Sequence, residues 1–140
     1  MRVATMKARC RSCGHEFVSP QLADFSYGET VLSGSSGSVY AILYAIDNPA
    51  MAWISEHRGR IDPKQLMKVC AEIADPIEGQ GLRAAIVCPA CHSSEMSSWG
   101  GAKTGEVELA EATFSRFLTL SDSEREVLLK EAAVRLGLVQ

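Results

Sequence analysis

No run of about 18 consecutive apolar residues occurs in this sequence, which argues against a transmembrane helix. The opening "MRVATMKARC" lacks the apolar stretch and cleavage site of a secretory signal, so the expectation is a cytoplasmic protein with no membrane association. Disulfides rarely persist in that compartment, and an odd number of cysteines, five, fits poorly with complete pairing. Aromatic residues are scarce at 6%, so aliphatic side chains and alanine must fill the core. Also missing are the lysine of a Walker loop, a G-x-G-x-x-G turn, an H-E-x-x-H and a G-x-S-x-G. These absences remove the common routes to nucleotide binding, zinc proteolysis and serine hydrolysis. No catalytic residue is assigned, and the balance falls against an enzyme.

An excess of basic charge is lacking too. The net charge is −3 and the isoelectric point near 5.6, far from the footprint of a nucleic-acid-binding domain. The charge is uneven, however. Residues 1–18 set Arg2, Lys7, Arg9 and Arg11 against Glu16 alone, and residues 83–103 set Arg83 and Lys103 against Glu95. The remainder is acidic.

What is present begins with an ordinary globular balance: 46% hydrophobic and 22% charged residues, which makes disorder the wrong default. A chain of this size buries roughly 68% of its unfolded surface. Residues 1–140 are therefore read as a single domain.

The main chemical signal is a pair of C-x-x-C motifs, "CRSCGHEF" at 10–17 and "CPACHSSE" at 88–95. A tight turn after a strand aims both sulfurs of such a motif at one ion, and zinc prefers four tetrahedral sulfur or nitrogen ligands. Gly14 suits the left-handed position that follows the second cysteine. The reading is that Cys10, Cys13, Cys88 and Cys91 share one Zn²⁺. The four would close its shell, so the metal is expected to be structural rather than hydrolytic. The alternatives are a C-x-x-C thiol–disulfide oxidoreductase and four unliganded buried cysteines. The oxidoreductase would need a helix after the motif to lower the thiol pKa, and "HSSEMSSWGG" has no helical period.

In these segments the sequence resembles the zinc-ribbon family, built on rubredoxin-type zinc knuckles. "MKARCRSCGHEF" is similar to the opening of FmdB-type regulatory proteins, and "CPAC" to the second knuckle of zinc ribbons in general. The resemblance covers residues 4–18 and 84–109 and implies that the four cysteines are the ligands. The knuckles stand 74 residues apart, against roughly 15–20 in a compact ribbon. A long insertion accommodates that gap, since closing the longer loop costs only about 1 kcal/mol more. His92 takes the place that Gly14 has in the first knuckle, so the second turn is expected to be strained or differently shaped. His15 and His92 flank the knuckles and are expected to lie outside the ligand set.

The fold class expected is α+β: a zinc ribbon from residues 3–18 and 83–109, a helical insertion over 36–76 and a C-terminal helix over 121–137. Strands are read over 3–10, in "HEFV" and in "RAAIVC" (83–88), with a hairpin over 97–109 turning at Gly100–Gly101. "VYAILYAI" (39–46) is read as a helix led in by the "SGSSGS" loop (33–38), which could in principle present N–H groups to an anion. Asp24, Glu29 and Asp47 flank that segment without forming a motif. A helix over 49–58 has Asn48 as cap and Pro49 in its first position, and one over 63–74 repeats this with Asp62 and Pro63. "SDSE" (121–124) is a capping box, and Gly137 marks the end of the last helix. His57 is expected to cap the end of its helix, and Cys70 to act as a small buried hydrophobe.

For function, these features suggest a non-enzymatic interaction or regulatory module with a protein partner. The runner-up is a nucleic-acid-binding ribbon using Arg2, Lys7, Arg9, Arg11, Arg83 and Lys103. Phe17 and Trp99 are expected to cover the hydrophobic side of the ribbon rather than stack on bases.

Overall fold

The computed structural model describes residues 1–22 and 28–138. Its architecture is α+β, with two small antiparallel sheets and a helical layer. In the first sheet β1 (Arg2–Cys10) lies between β2 (Glu16–Pro20) and β6 (Met96–Glu108). The second places β3 (Glu29–Gly34) between β4 (Tyr40–Tyr44) and the short β5 (Leu82–Arg83). The helices are α1 (Pro49–Glu56), α2 (Leu66–Ile73) behind a 3₁₀ turn at Pro63–Gln65, the single turn α3 (Ser115–Leu118) and α4 (Asp122–Arg135).

Local chemistry sets the helix starts as the sequence suggests. The Asn48 side chain accepts from the N–H groups of Ala50 and Met51, with Pro49 opening α1. Asp62 accepts from the Lys64 N–H ahead of Pro63–Gln65. Ser121 and Glu124 form both halves of a capping box on α4. Gly137, just beyond the helix, takes a left-handed φ of +71°.

Three expectations are overturned. "VYAILYAI" holds a strand, not a helix. β4 pairs with β3 from Glu29↔Tyr44 to Ser33↔Tyr40, and its centre is covered on both faces. Ala41 and Leu43 pack toward the helices, while Ile42 packs with Val3 of β1 and Leu109 just after β6. A strand buried on both sides reads as a continuous apolar run, and periodicity cannot then separate it from a buried helix. The helices of the insertion accordingly occupy only 49–73, and residues 29–44 form a β-hairpin. "SGSSGS" is the end of β3 and the turn of that hairpin, so it leads into no helix and offers no helix N-terminus to an anion.

Residues 97–109 do not turn back on themselves. β6 is one strand whose two arms both pair with β1: Lys7 faces Gly100, Thr5 faces Gly105, and residues 101–104 stand opposite Met6 alone. Gly100 and Gly101 (φ +91° and +89°) supply the bulge, and Thr104 anchors it by donating to the Thr5 carbonyl at 3.0 Å. The nine-residue β1 offers a template for both arms, so the glycine pair bends the strand instead of reversing it.

The strand expected over 83–88 ends at Arg83. Beyond it the chain leaves β3, and Ile86 packs against a second, smaller core of Ala8, Cys10, Phe17, Cys88 and Met96. Glu29 opens β3 and Asp47 stands in the turn after β4, while Asp24 lies outside the described residues.

The larger core joins the second sheet to the helices through Leu32, Leu43, Ile54, Val69, Phe117 and Leu129. Around Trp53 of α1 the elements lock together. Its ring meets Phe117 of α3 edge-on at 5.5 Å, and the Arg125 guanidinium of α4 lies over both rings. His57 closes α1 as expected, and its ring also stacks on Trp53 at 3.9 Å. At the start of the same α3, Asp75 caps the turn, accepting from the Ser115 and Arg116 N–H groups and the Thr113 hydroxyl.

Candidate metal centre

The two knuckles are built alike. In the first, the Cys10 N–H donates to the His15 carbonyl and the Gly14 N–H to the Cys10 carbonyl, at 2.9 and 3.0 Å. In the second, the Cys88 N–H donates to the Ser93 carbonyl and the His92 N–H to the Cys88 carbonyl, at 2.9 and 2.8 Å. Gly14 and His92 hold the same left-handed turn at φ +76° and +64°. The second turn is therefore not differently shaped: His92 adopts the glycine conformation, at the backbone cost a Cβ imposes there. An N–H to sulfur bond from Ala90 to Cys88, at 3.4 Å, is of the kind that settles a thiolate.

β1 delivers Cys10 at its last residue, and the segment leaving β5 delivers Cys88. Both are buried, at 1% and 0% exposure, beside Ala8, Phe17 and Met96, whereas Cys13 and Cys91 reach the surface. Each knuckle thus contributes one inner and one outer sulfur, and the pairs cross over. Cys10 lies 3.5 Å from Cys91, and Cys13 lies 3.7 Å from Cys88. All four sulfurs fall within 4.8 Å of one another. An ion about 2.3 Å from each of four tetrahedral sulfurs separates them by about 3.8 Å. The group could therefore hold a metal ion, and its all-sulfur donor set suits zinc. Further ties brace the knuckles: the Ser12 and Ser93 hydroxyls share a hydrogen bond at 2.9 Å, and the Arg11 N–H donates to the Glu95 carbonyl at 2.8 Å.

Electrostatics of the group point the same way. Burial pushes the Cys10 thiol up, but hydrogen bonds to the Cys13 backbone, the Cys91 thiol and the Ser12 backbone outweigh it, bringing it down to about 6. Cys91 is lowered by its bond to the Ser93 backbone, yet Cys10, burial and the remaining two sulfurs push it up to about 12. Cys13 is held up as well, despite its bond to the His15 backbone. Hydrogen bonds among the sulfurs favour the thiolate at Cys10 and keep the protons on Cys91 and Cys13, protons that a bound divalent cation would displace.

His15 and His92 stand outside this group, and His15 instead stacks near Phe17 with ring centroids 6.0 Å apart. Cys70 is buried in the helical layer, where burial pushes its thiol up to about 12. Of the six basic residues singled out in the sequence, four are engaged by carboxylates. Glu16 takes Lys7 and Arg9 at 3.6 and 3.4 Å, and Glu106 takes Arg2 at 2.9 Å together with Lys103. Phe17 is buried as expected, but Trp99 is 64% exposed rather than a cover for an apolar face. Its ring lines two shallow cavities of about 300 and 390 Å³ that share Ala85 and Ile86.

Sequence reasoning named the four cysteines that cluster but missed a contact beside the second pair. Gly37, at the turn of the β3–β4 hairpin, lies against the backbone of residues 87–89, so the insertion bears directly on the second knuckle. Two glycines among four serines in "SGSSGS" were the available signal for a turn with close backbone approach. Among the described residues, no helix is long and apolar enough to cross a membrane. No family model matches this chain, and neither does any curated protein or any solved structure.

Proposed function

We propose that Cys10, Cys13, Cys88 and Cys91 bind one structural Zn²⁺, and that the chain is a non-enzymatic interaction module whose ribbon this ion holds together. The crossed cluster of four sulfurs, all within 4.8 Å of one another and supplied by two matching knuckles, carries the reading. With four protein thiolates the shell is closed, so the ion would contribute folding free energy rather than a reactive water, on the order of 10 kcal/mol by comparison with small zinc domains. A protein partner is favoured over nucleic acid for two reasons. Carboxylates already occupy much of the ribbon's basic face, and Trp99 presents a large exposed aromatic of the type that anchors protein interfaces.

Metal analysis of protein purified under reducing conditions tests the site. One equivalent of zinc is expected; less than half an equivalent, or iron in its place, would overturn the assignment. Turnover in an insulin-reduction assay that disappears in Cys88→Ser would replace the proposal with a redox function.

A further inference from the structure

The four clustered sulfurs are not equivalent toward a reagent arriving from solvent. Cys10 and Cys88 are 1% and 0% exposed, whereas Cys13 and Cys91 stand at the surface. A small oxidant therefore meets Cys13 and Cys91 first. Each of these outer sulfurs has an inner sulfur of the opposite knuckle in contact with it: Cys91 lies 3.5 Å from Cys10, and Cys13 lies 3.7 Å from Cys88. Within both pairs the sulfurs are angled toward one another as a hydrogen bond requires. A disulfide bond of about 2 Å is reached by an approach of about 1.5 Å in each pair.

An accessible sulfur with a second thiol poised beside it is the arrangement of an oxidation-responsive cysteine pair. Here it occurs twice, both times across the knuckles. Pairing within a knuckle, Cys10 with Cys13 or Cys88 with Cys91, would break both crossing contacts. The knuckles are also tied face to face without the sulfurs. The Ser12 and Ser93 hydroxyls share a hydrogen bond at 2.9 Å, and the Arg11 N–H donates to the Glu95 carbonyl at 2.8 Å. Those ties keep the crossing partners together while the sulfurs react. Cys70, 0% exposed in the helical layer, stays out of reach.

We infer that the four-cysteine cluster is an oxidation site, where a hydroperoxide joins Cys10 with Cys91 and Cys13 with Cys88 as disulfides between the knuckles. The outer sulfur attacks one peroxide oxygen; the O–O bond breaks, the other oxygen departs as alcohol or water, and the outer cysteine becomes a sulfenic acid. The inner sulfur then attacks that outer sulfur. The S–S bond forms, the S–O bond breaks, and hydroxide takes a proton and leaves as water. Each disulfide thus consumes one hydroperoxide, with two electrons passing from the sulfur pair to the O–O bond. The protons come from the thiols, or from solvent where the sulfurs are thiolates. Oxidised sulfurs no longer ligate a cation, so the reaction empties the site while leaving the knuckles stapled. The loss of the ion rests on the structural-zinc reading above; the pairing rests on the placement of the sulfurs alone.

Excess hydrogen peroxide added to the full chain as purified, followed by non-reducing peptide mapping, tests the pairing. Cys10 with Cys91 and Cys13 with Cys88 should be the dominant links, with Cys70 left as a free thiol. Dimedone present during the reaction traps sulfenic acids and should mark Cys13 and Cys91 in preference to Cys10 and Cys88. Zinc released to a colorimetric chelator should rise in step with the links. Links within the knuckles, links joining inner to inner and outer to outer sulfur, or no disulfide at all would each overturn the inference. So would a trap that marks the inner pair, or zinc that stays bound while the links form. Protein that carries no zinc when purified defeats the structural-ion reading instead, and the same map still decides the pairing.

Discussion

A methyl group added to Gly37 would come within 2.6 Å of the Val87 carbonyl oxygen and 2.9 Å of the Pro89 nitrogen. The hairpin turn of the insertion is thus pressed onto the peptide groups on either side of Cys88. Gly37 also holds a left-handed φ of +74°, while Tyr40 donates to its carbonyl at 2.6 Å. Gly37→Ala therefore meets both a backbone clash and a strained dihedral. It should destabilise the protein by about 2 kcal/mol or more, measured by denaturant unfolding. Because the displaced backbone carries a knuckle, the variant should also lose zinc to a chelator faster than wild type. A variant with unchanged stability would show that the turn does not bear on the knuckle.

Gly14 and His92 share one backbone conformation, so the two positions should respond in opposite directions. Nothing lies within 4 Å of a Cβ built at Gly14, which leaves dihedral strain as the only cost of Gly14→Ala, about 1 kcal/mol. His92→Gly removes that same strain and gives back part of it as unfolded-state entropy. Its stability should match wild type or exceed it by less than about 1 kcal/mol. Thermal melts of both variants, run with metal present, decide the matter; equal losses at both positions would mean that the His92 side chain has a role of its own.

Cys10 and Cys88 lie far apart in sequence yet both bury their sulfurs against Ala8, Phe17 and Met96. If one ion joins the knuckles, Cys10→Ala and Cys88→Ala should each abolish stoichiometric zinc binding and lower stability by a similar amount, several kcal/mol. Zinc content and melting temperature, measured on the same preparations, check this. One variant that keeps full zinc and melts normally would separate the knuckles into independent elements.

What the sequence reveals of this fold follows the range of the forces involved. Asn48, Asp62 and the Ser121–Glu124 pair cap their helices through bonds to residues two or three positions away, so those starts are readable locally. The sulfurs are readable for a different reason, since few chemistries place two C-x-x-C turns in one chain. β4 escapes because its two faces are covered by parts of the chain remote from it, Val3 and Leu109 on one side and the helical layer on the other. The direction of β6 depends on a β1 template nearly a hundred residues earlier, and no local rule tells the Gly100–Gly101 pair to bulge rather than turn. Trp99 shows the same limit: it stands opposite the fully buried Ala8 in the ladder and is still 64% exposed, which no pattern local to β6 announces.

Asp75 gives a pH dependence whose sign is fixed by its surroundings. Burial pushes its carboxyl up, but bonds from Thr113, Ser115 and Arg116, with the Arg116 charge, outweigh this and hold it below its ordinary value of 3.8. The ionised form is favoured in the folded state. Its contribution is therefore present above pH 3.8 and is lost as the pH falls through the lower, folded-state value. Asp75→Ala removes the cap of α3 and should cost about 1 kcal/mol near neutral pH. The gap from wild type should narrow as the solution is acidified past the ordinary carboxylate range. Urea unfolding of both proteins across that range measures it, and a gap independent of pH would assign the effect to packing instead of charge.

The five cysteines fall into two chemical classes that a thiol reagent can count. Cys70 is fully buried in the helical layer, and burial pushes its thiol up to about 12, so it carries almost no thiolate at neutral pH. Cys13 and Cys91 are at the surface, and Cys10 and Cys88 lie just beneath them in the same group. With zinc bound, all four should resist alkylation, because coordinated thiolates are poor nucleophiles toward bulky reagents and the inner two are shielded. A chelator should then open these four together while Cys70 stays unmodified until the chain is unfolded. Mass spectrometry after timed alkylation reads the result directly: adducts at Cys10, Cys13, Cys88 and Cys91 should rise in one phase on chelation. Modification of Cys13 and Cys91 at an unchanged rate with and without chelator would mean that no metal was protecting them. Early modification of Cys70 would mean that the helical layer opens before the metal centre does.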